Sequence, residues 1–589
     1  MDIIATLKQH LEAGFTTLFD TAPEPEKVQL QDTRKEFEGH YTFVTFPFGK
    51  LTQKKPQETA DLLGNYLKEN CPLVADFNVV KGFLNIVLAD AVWIEQLQQL
   101  THTADFGQQP ESGSRVLMEY SSPNTNKPLH LGHLRNNFLG DSVSSVLRAN
   151  GSKVLKTNLV NDRGIHICKS MLMYQKYGND TTPEAEGKKG DQLIGDFYVR
   201  FDRENKAQAA EKQCDPNQTP LMEEAREMLR QWEQRDPEVY ALWEKLNGWV
   251  LEGHNQTYAA IGVDFDKFYF ESETYLLGKD IVEEGLKKEV FYRREDGSVW
   301  ANLEDEGLDE KLILRADGTS VYITQDMGTA DLKYQDFPMD ASIYVVGNEQ
   351  DYHFKVLQLI MQKLGRTYAE GIFHLSYGMV ELPSGKMKTR EGTVVDADQL
   401  VQEMTAIARA RTQELGKIEG FSDAEAENLY RQLALGALKY YLLRVEPRKN
   451  MLFNPEESID FQGNSGVYIQ YTHAKARAIV RKAEAQKITY TPESYADLTF
   501  LESAEWELIK LLASYPGVVS EAAENYAPST IANYAYELAR AYSRLWADLP
   551  IFSAEQEAVR ALRIALSDQT SRVLQLATGL LGMEMPERM

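Results

Sequence analysis

Residues 115 to 160 read as strand, glycine-bearing turn, helix and strand, and this unit limits the fold more than anything else in the chain. RVLMEY is a short buried-strand pattern, and after His133 the residues Leu134, Phe138, Val143, Val146 and Leu147 recur at three- and four-residue spacings. Asn150-Gly151 supplies the helix stop, and KVLKTNLV follows as a second strand. A strand–helix–strand unit joins parallel strands. The expected class is therefore α/β with a parallel, Rossmann-like sheet. The alternation resumes at SIYVVG (342–347), the helix-like DYHFKVLQLIMQKLG and FHLSYGMVEL. A polar, mostly helical segment from about 180 to 300 intervenes, with a strand pair in VFYRREDGSVWANL, and reads as an insertion that splits the sheet.

A chain of 589 residues exceeds what one hydrophobic core supports. Residues 1–108 form a small α+β domain, opened by an amphipathic helix with Ile3, Leu7, Leu11 and Phe15 on one face. TADFGQQPESGS (103–114) reads as a linker. The parallel-sheet domain spans 109–400, a helical connector 401–465 and an all-α bundle 466–589. The N-terminus lacks the pattern of a signal peptide, and no apolar run approaches the length of a membrane helix. Cys71, Cys168 and Cys214 lie far apart and form no CxxC pair, which points to a reducing, cytoplasmic compartment. The net charge of −25 weighs against a nucleic-acid partner. Net charge is a global average, however, and HAKARAIVRKAEAQK (473–487) supplies a local basic stretch.

Three readings compete for His130 and His133 in SSPNTNKPLHLGHLRNN (121–137). A zinc site needs further ligands at suitable spacing, and none are present, so no metal site is expected. A core reading must bury Asn124, Asn126, Lys127, His130, His133, Arg135 and Asn136 together, too dense a polar cluster without partners. Anion binding is the third reading: a strand-to-helix turn presents free backbone N–H groups, Gly132 admits a nucleotide, and both imidazoles donate to phosphate oxygens. A second element corroborates it. Gly385-Lys386-Met387-Lys388-Thr389-Arg390-Glu391-Gly392 follows a strand, is bounded by glycines and carries positive charge.

HxGH followed some 250 residues later by a KMSKS-like loop resembles the class I aminoacyl-tRNA synthetases. The lead-in Glu119-Tyr120-Ser121-Ser122-Pro123-Asn124, Lys127 before HLGH, YITQD (322–326), EQDYH (349–353), IQYTHAKAR (469–477) and LLGMEMPERM resemble the arginyl family in particular. NDRGIHICKS departs from it, since many relatives have a tryptophan there. The resemblance implies activation of L-arginine by ATP, taken with Mg2+ as a substrate complex, followed by transfer to tRNA(Arg).

No Walker A sequence is present, so ATP is held otherwise. The resemblance places His130, Gly132, His133 and Lys386 on the phosphates and the backbone of Met379 and Val380 on the adenine. Thr389 replaces the family's second loop lysine, and the missing charge is assigned to Lys127, with Lys388 as the second candidate. Glu119, Asn124, Tyr322, Asp326 and Gln350 match the arginine-binding positions. Carboxylates and neutral acceptors suit a forked guanidinium, and such a pocket needs no editing site against lysine. The N-terminal domain resembles a module that contacts the tRNA elbow, where Phe46, with Phe43 and Phe48, is a stacking candidate against the alternative of core packing. The C-terminal bundle resembles an anticodon-binding domain, with Tyr468, Gln470, Tyr471 and His473 as base readers and Lys475, Arg477 and Arg481 as phosphate contacts. A monomer is expected. The rival readings are a nucleotidylyltransferase, whose chains are usually shorter and lack the helical C-terminal domain, another class I synthetase, and a degenerate paralogue, which would have lost these motifs.

Overall fold

The stripe Ile3, Leu7, Leu11 and Phe15 is the buried face of α1 (Ile3–Phe19), and Asp2 caps its first turn by accepting the Ala5 N–H. The computed structural model describes residues 2–381, 383, 395–416, 418 and 420–589. They form two compact units, the first made of Met1–Phe106, Ala476–Ser514 and Arg540–Thr570. Its N-terminal part packs α1, α2 (Pro56–Asn70) and α3 (Asp90–His102) with a four-stranded antiparallel sheet. The strands are β1 (Leu30–Asp32), β2 (Tyr41–Val44), β3 (Val74–Val80) and β4 (Phe83–Leu88), in the order β1-β2-β4-β3. Phe43 and Phe48 belong to its core, with the Phe15 ring 6.1 Å and 4.8 Å from theirs. Only Phe46 of the three faces outward, 49% exposed, with its ring against Phe83.

The second unit comprises Gly107–Lys475, Tyr515–Ala539 and Ser571–Met589. It contains β5 (Arg115–Glu119), β6 (Lys153–Val160) and β7 (Lys267–Phe270), then β8 (Phe291–Arg293), β9 (Val299–Ala301) and β10 (Lys311–Leu314), then β11 (Ala341–Gly347) and β12 (Ile372–Tyr377). Strands β8 to β10 form a separate antiparallel sheet, which includes the expected hairpin. The other five form one wholly parallel sheet in the order β12-β11-β5-β6-β7. β7 lies inside the segment read as an insertion. Its four residues, KFYF, are too few to register as a strand by periodicity, so the sheet extends into that segment.

The chain runs from β5 outward to β6 and β7, then returns to the other side of β5 for β11 and β12. The C-terminal edge between β5 and β11 is therefore a switch point, where α/β sheets open a crevice. Helix α4 (Leu131–Ala149) crosses from β5 to β6 as the apolar spacing predicts. Asn136, 4% exposed, accepts the Ser121 N–H at 2.5 Å and donates to the Val345 carbonyl at 2.7 Å, joining the two sides of the switch. Between β6 and β7 stand α5 (Ile165–Tyr177), α6 (Gly190–Lys212), α7 (Pro220–Glu233) and α8 (Pro237–Ile261), with their own core around Met171, Phe197 and Trp232. Beyond them come α9 (Tyr322–Asp336), α10 (Asp351–Lys363), α11 (Ala397–Glu414) and α12 (Asp423–Leu443). The short β13 (Val380–Glu381) and β14 (Met451–Leu452) pair in parallel.

Replacing Asn136 by leucine keeps the volume and orphans two buried backbone groups. At about 1–3 kcal/mol each, Asn136→Leu is expected to lower the urea midpoint of unfolding clearly. An unchanged midpoint would mean that the amide does not join the two sides.

Candidate active site

Past Glu119 the chain leaves β5, makes a parallel bridge between Asn124 and Asn161, and reaches α4 with His130 at its N-cap. His130 and His133 form a reciprocal cap: Nδ1 of His130 accepts the Gly132 N–H at 3.1 Å, and Nδ1 of His133 accepts the His130 N–H at 3.1 Å. The Leu131 N–H donates to the Val395 carbonyl at 3.3 Å, and those of His133 and Leu134 donate to His130. The free backbone amides expected here are thus already occupied, because the histidines themselves satisfy the turn. Gly132 also has a duty beside the one expected. A Cβ there would lie 3.0 Å from His130 Cε1, so its bareness admits the imidazole.

With both Nδ1 atoms accepting, the protons of the neutral rings sit on Nε2. Burial, with Lys127 adding, pulls His130 down to about 4. Burial, His130, Lys127 and His254 hold His133 well below the ordinary range. The turn therefore offers two neutral N–H donors, with ring centroids 3.9 Å apart. Arg135, 1% exposed, instead serves the fold, donating to the carbonyls of Gly378 (2.6 Å), Pro447 (3.1 Å) and Lys449 (2.9 Å). The dense polar cluster is buried with partners after all in Arg135 and Asn136. Lys127 and His130 border a cavity of about 360 Å³ that Lys188, Tyr198, Asp396 and Gln399 also line.

At the end of β5, Glu119 is buried and ion-paired with Lys333, which stands 4.8 Å from the Tyr344 ring. Burial pulls the Lys333 ammonium down, but Glu119 and Tyr344 outweigh it and leave the pKa raised. Tyr322, Asp326 and Lys333 are four and eleven residues apart on α9, about one and three turns, so they share a face. Tyr322 is 78% exposed at its start. Asp326 Oδ2 accepts from His353 Nε2 at 2.6 Å, and Gln350 is exposed just before α10. Burial pushes the Glu271 carboxyl, next after β7, up to about 6, with Arg163 opposing and Asp162 and Asp326 adding. Lys333, His353 and Glu271 escaped the sequence reading. The helical spacing from Tyr322 and Asp326 was a usable signal for Lys333, and EQDYH ends on His353, but no local signal marked Glu271.

Val380 is buried and Met379 is 53% exposed. The Met379 N–H donates to Asn450 Oδ1 at 2.8 Å, and the carbonyls of Met379 and Glu381 accept from Met451 and Phe453. Lys386 and Lys388 lie outside the described residues. On α13 (Gly466–Ala485), Gln470 and His473 are fully buried. Gln470 donates to the carbonyls of Gln432 and Glu584, and the His473 ring bonds the Pro586 carbonyl at 3.0 Å. The base-reading calls on these two are corrected accordingly: both are spent on packing the C-terminal tail. Tyr468 and Tyr471 are half-buried, against Tyr536 and Phe461. Lys475 stands 5.9 Å from the Tyr471 ring, Arg477 pairs with Asp568 at 3.5 Å, and Arg481 is exposed.

Residues 96–454 match the profile of the family described as tRNA synthetases class I (R), catalytic domain, and residues 469–589 that of the DALR anticodon binding domain. An arginine–tRNA ligase of Bacteroides thetaiotaomicron is 55% identical over 98% of both chains. One from Amoebophilus asiaticus is 51% identical over 100% of both. In structure, the arginyl-tRNA synthetase of Thermus thermophilus superimposes with a TM-score of 0.79 at 24% identity, covering 100% of each chain.

Removing one partner of a buried ion pair strands the other charge, typically at about 3–5 kcal/mol. Lys333→Met is therefore expected to destabilise strongly, while Lys333→Met with Glu119→Gln recovers part of the loss in urea unfolding. A double variant no better than the single one would count against the pairing.

Proposed function

The chain belongs to the class I arginyl-tRNA synthetases, and from that premise we propose how the crevice between β5 and β11 works as an arginine–tRNA ligase. The arginine carboxylate attacks the α-phosphorus of ATP, pyrophosphate leaves, and the arginyl group then passes to the 3′ end of tRNA(Arg). Such chemistry needs positioning and charge stabilisation rather than a covalent nucleophile. The observation that carries the assignment is the reciprocal cap of His130 and His133, which leaves two Nε2–H donors for phosphate oxygens. Since both rings are neutral, the positive charge comes from Lys127, with Lys386 and Lys388 acting from the loop. Mg2+ enters with ATP.

The arginine side chain enters between Glu119 and Asp326. Lys333 offsets the charge of Glu119, and His353 occupies Oδ2 of Asp326, leaving Oδ1 for a guanidinium N–H. Asn124, Tyr322 and Gln350 complete the set, with Tyr322 at the mouth. Two bonds engage Met379, so the adenine edge falls to the Val380 backbone. Residues 109–400 do the chemistry and 401–465 connect. Residues 1–108, through Phe46, and 466–589, through Tyr468, Tyr471, Lys475, Arg477 and Arg481, take the tRNA. The protein acts as a cytoplasmic monomer, a placement that suits its three free cysteines; among the described residues no helix is long and apolar enough to cross a membrane.

Charging of tRNA with arginine, and far more weakly with lysine, is the expected outcome; equal charging by lysine would defeat the pocket. Lys127→Ala is expected to lower pyrophosphate exchange, run with tRNA present, by about 10²–10³-fold, the loss typical of removing a transition-state donor. Near-normal exchange would defeat the role of Lys127.

A further inference from the structure

Two helices that stand between β6 and β7 grip the peptide bond just before the HLGH turn. From α8, His254 approaches the Lys127 carbonyl, with Nε2 3.0 Å from its oxygen. From α6, Gly195 lies against Pro128: a Cβ there would come within 2.9 Å of Pro128 Cδ. Proline has no N–H, so the Lys127 carbonyl is the only backbone hydrogen-bonding group of this peptide bond. The proline also disfavours the helical region for Lys127. One bond to that carbonyl therefore fixes the peptide plane from which the Lys127 side chain departs, three residues before His130.

We propose that His254 is the positioning residue for Lys127, holding its carbonyl so that the ammonium is delivered beside His130 and His133. The proposal rests on the reading of Lys127 as the source of charge at the phosphates. His254 is 1% exposed, and burial pulls it down to about 4, against the opposing Lys127 bond, so the ring is neutral near pH 7. A neutral ring facing a carbonyl donates from Nε2, which leaves Nδ1 as a bare acceptor, and Nδ1 has no hydrogen-bond partner among the described residues. Among the described residues the ring thus makes one hydrogen bond, and that bond is to Lys127. The same element also reaches the start of α11: Thr257, one turn on, donates to Asp398 Oδ2 at 3.2 Å, and Lys189 pairs with that carboxylate.

Matched amide substitutions test this in the full-length protein. In His254→Gln the terminal amide falls near the place of Nε2 and restores the bond, whereas in His254→Asn it falls near Nδ1 and does not. His254→Gln is expected to keep kcat for tRNA-dependent pyrophosphate exchange within about threefold, and His254→Asn to lose tenfold or more, with little change in KM for arginine. A small misplacement near the chemistry carries losses of that size. In the Lys127→Ala background the loss from His254→Asn should shrink to less than twofold, because the effect passes through Lys127. Equal losses in the Gln and Asn variants, or losses that multiply with Lys127→Ala, overturn the proposal. Near-normal activity of Lys127→Ala alone defeats instead the reading it rests on. Should His254→Asn fail to fold, Gly195→Ala presses on Pro128 from the other helix. It is expected to lower kcat in the same manner, and an unaltered kcat in that variant would likewise overturn the proposal.

Discussion

Five strands all pointing one way place every strand end on the same edge of the sheet, and much of the site follows from that constraint. Glu119 ends β5, Glu271 follows β7, and Gln350 follows β11. The reversal of direction between β5 and β11 opens the crevice into which these ends look. Asn136 closes the same gap from beneath with its two bonds. A parallel sheet needs covered faces, and α4 gives one cover while carrying the turn.

Within that frame, the turn solves a problem that all helices share. The first amides of α4 need acceptors, and His130 and His133 supply two of them through Nδ1. The solution fixes both tautomers and turns each Nε2–H away from the backbone. Burial keeps the rings neutral, so in the proposed mechanism uncharged donors orient the phosphates and lysines carry the charge. The arginine side shows the complementary economy. The two carboxylates proposed for the substrate cation, Glu119 and Asp326, are already engaged by Lys333 and His353. On that reading, Lys333 leaves the substrate a pocket less negative than its residue types suggest.

The site was legible where a residue type and its spacing sufficed. HLGH at a strand-to-helix turn stood out with the later basic loop beside it, as did the switch from α/β alternation to helices, whereas Tyr322 and Asp326, one helical turn apart, stood out only through the family resemblance. Four features misled. The amides of the turn were read as free because a sequence does not show where a side chain bends back. Gly132 was read for the nucleotide alone, and it also makes room for the His130 ring. Gln470 and His473 lie just before and at the start of a basic stretch and look like readers, yet the periodicity of α13 turns them inward. KFYF was too short to separate from its helical surroundings.

Composition and period thus determined by themselves that this chain is α/β with a helical C-terminal part, that β5 and β6 run parallel, and which turn carries the histidines. They did so because burial enforces local periodicity and a crossover admits one handedness. Only the tertiary structure decided what each polar residue does. Lys333 meets Glu119 from more than two hundred positions away, and His254 meets Lys127 across α5 to α8. Whether a buried polar group is a ligand, a cap or a strut depends on the partner it finds. That partner is set by packing between elements, on which the local pattern is silent.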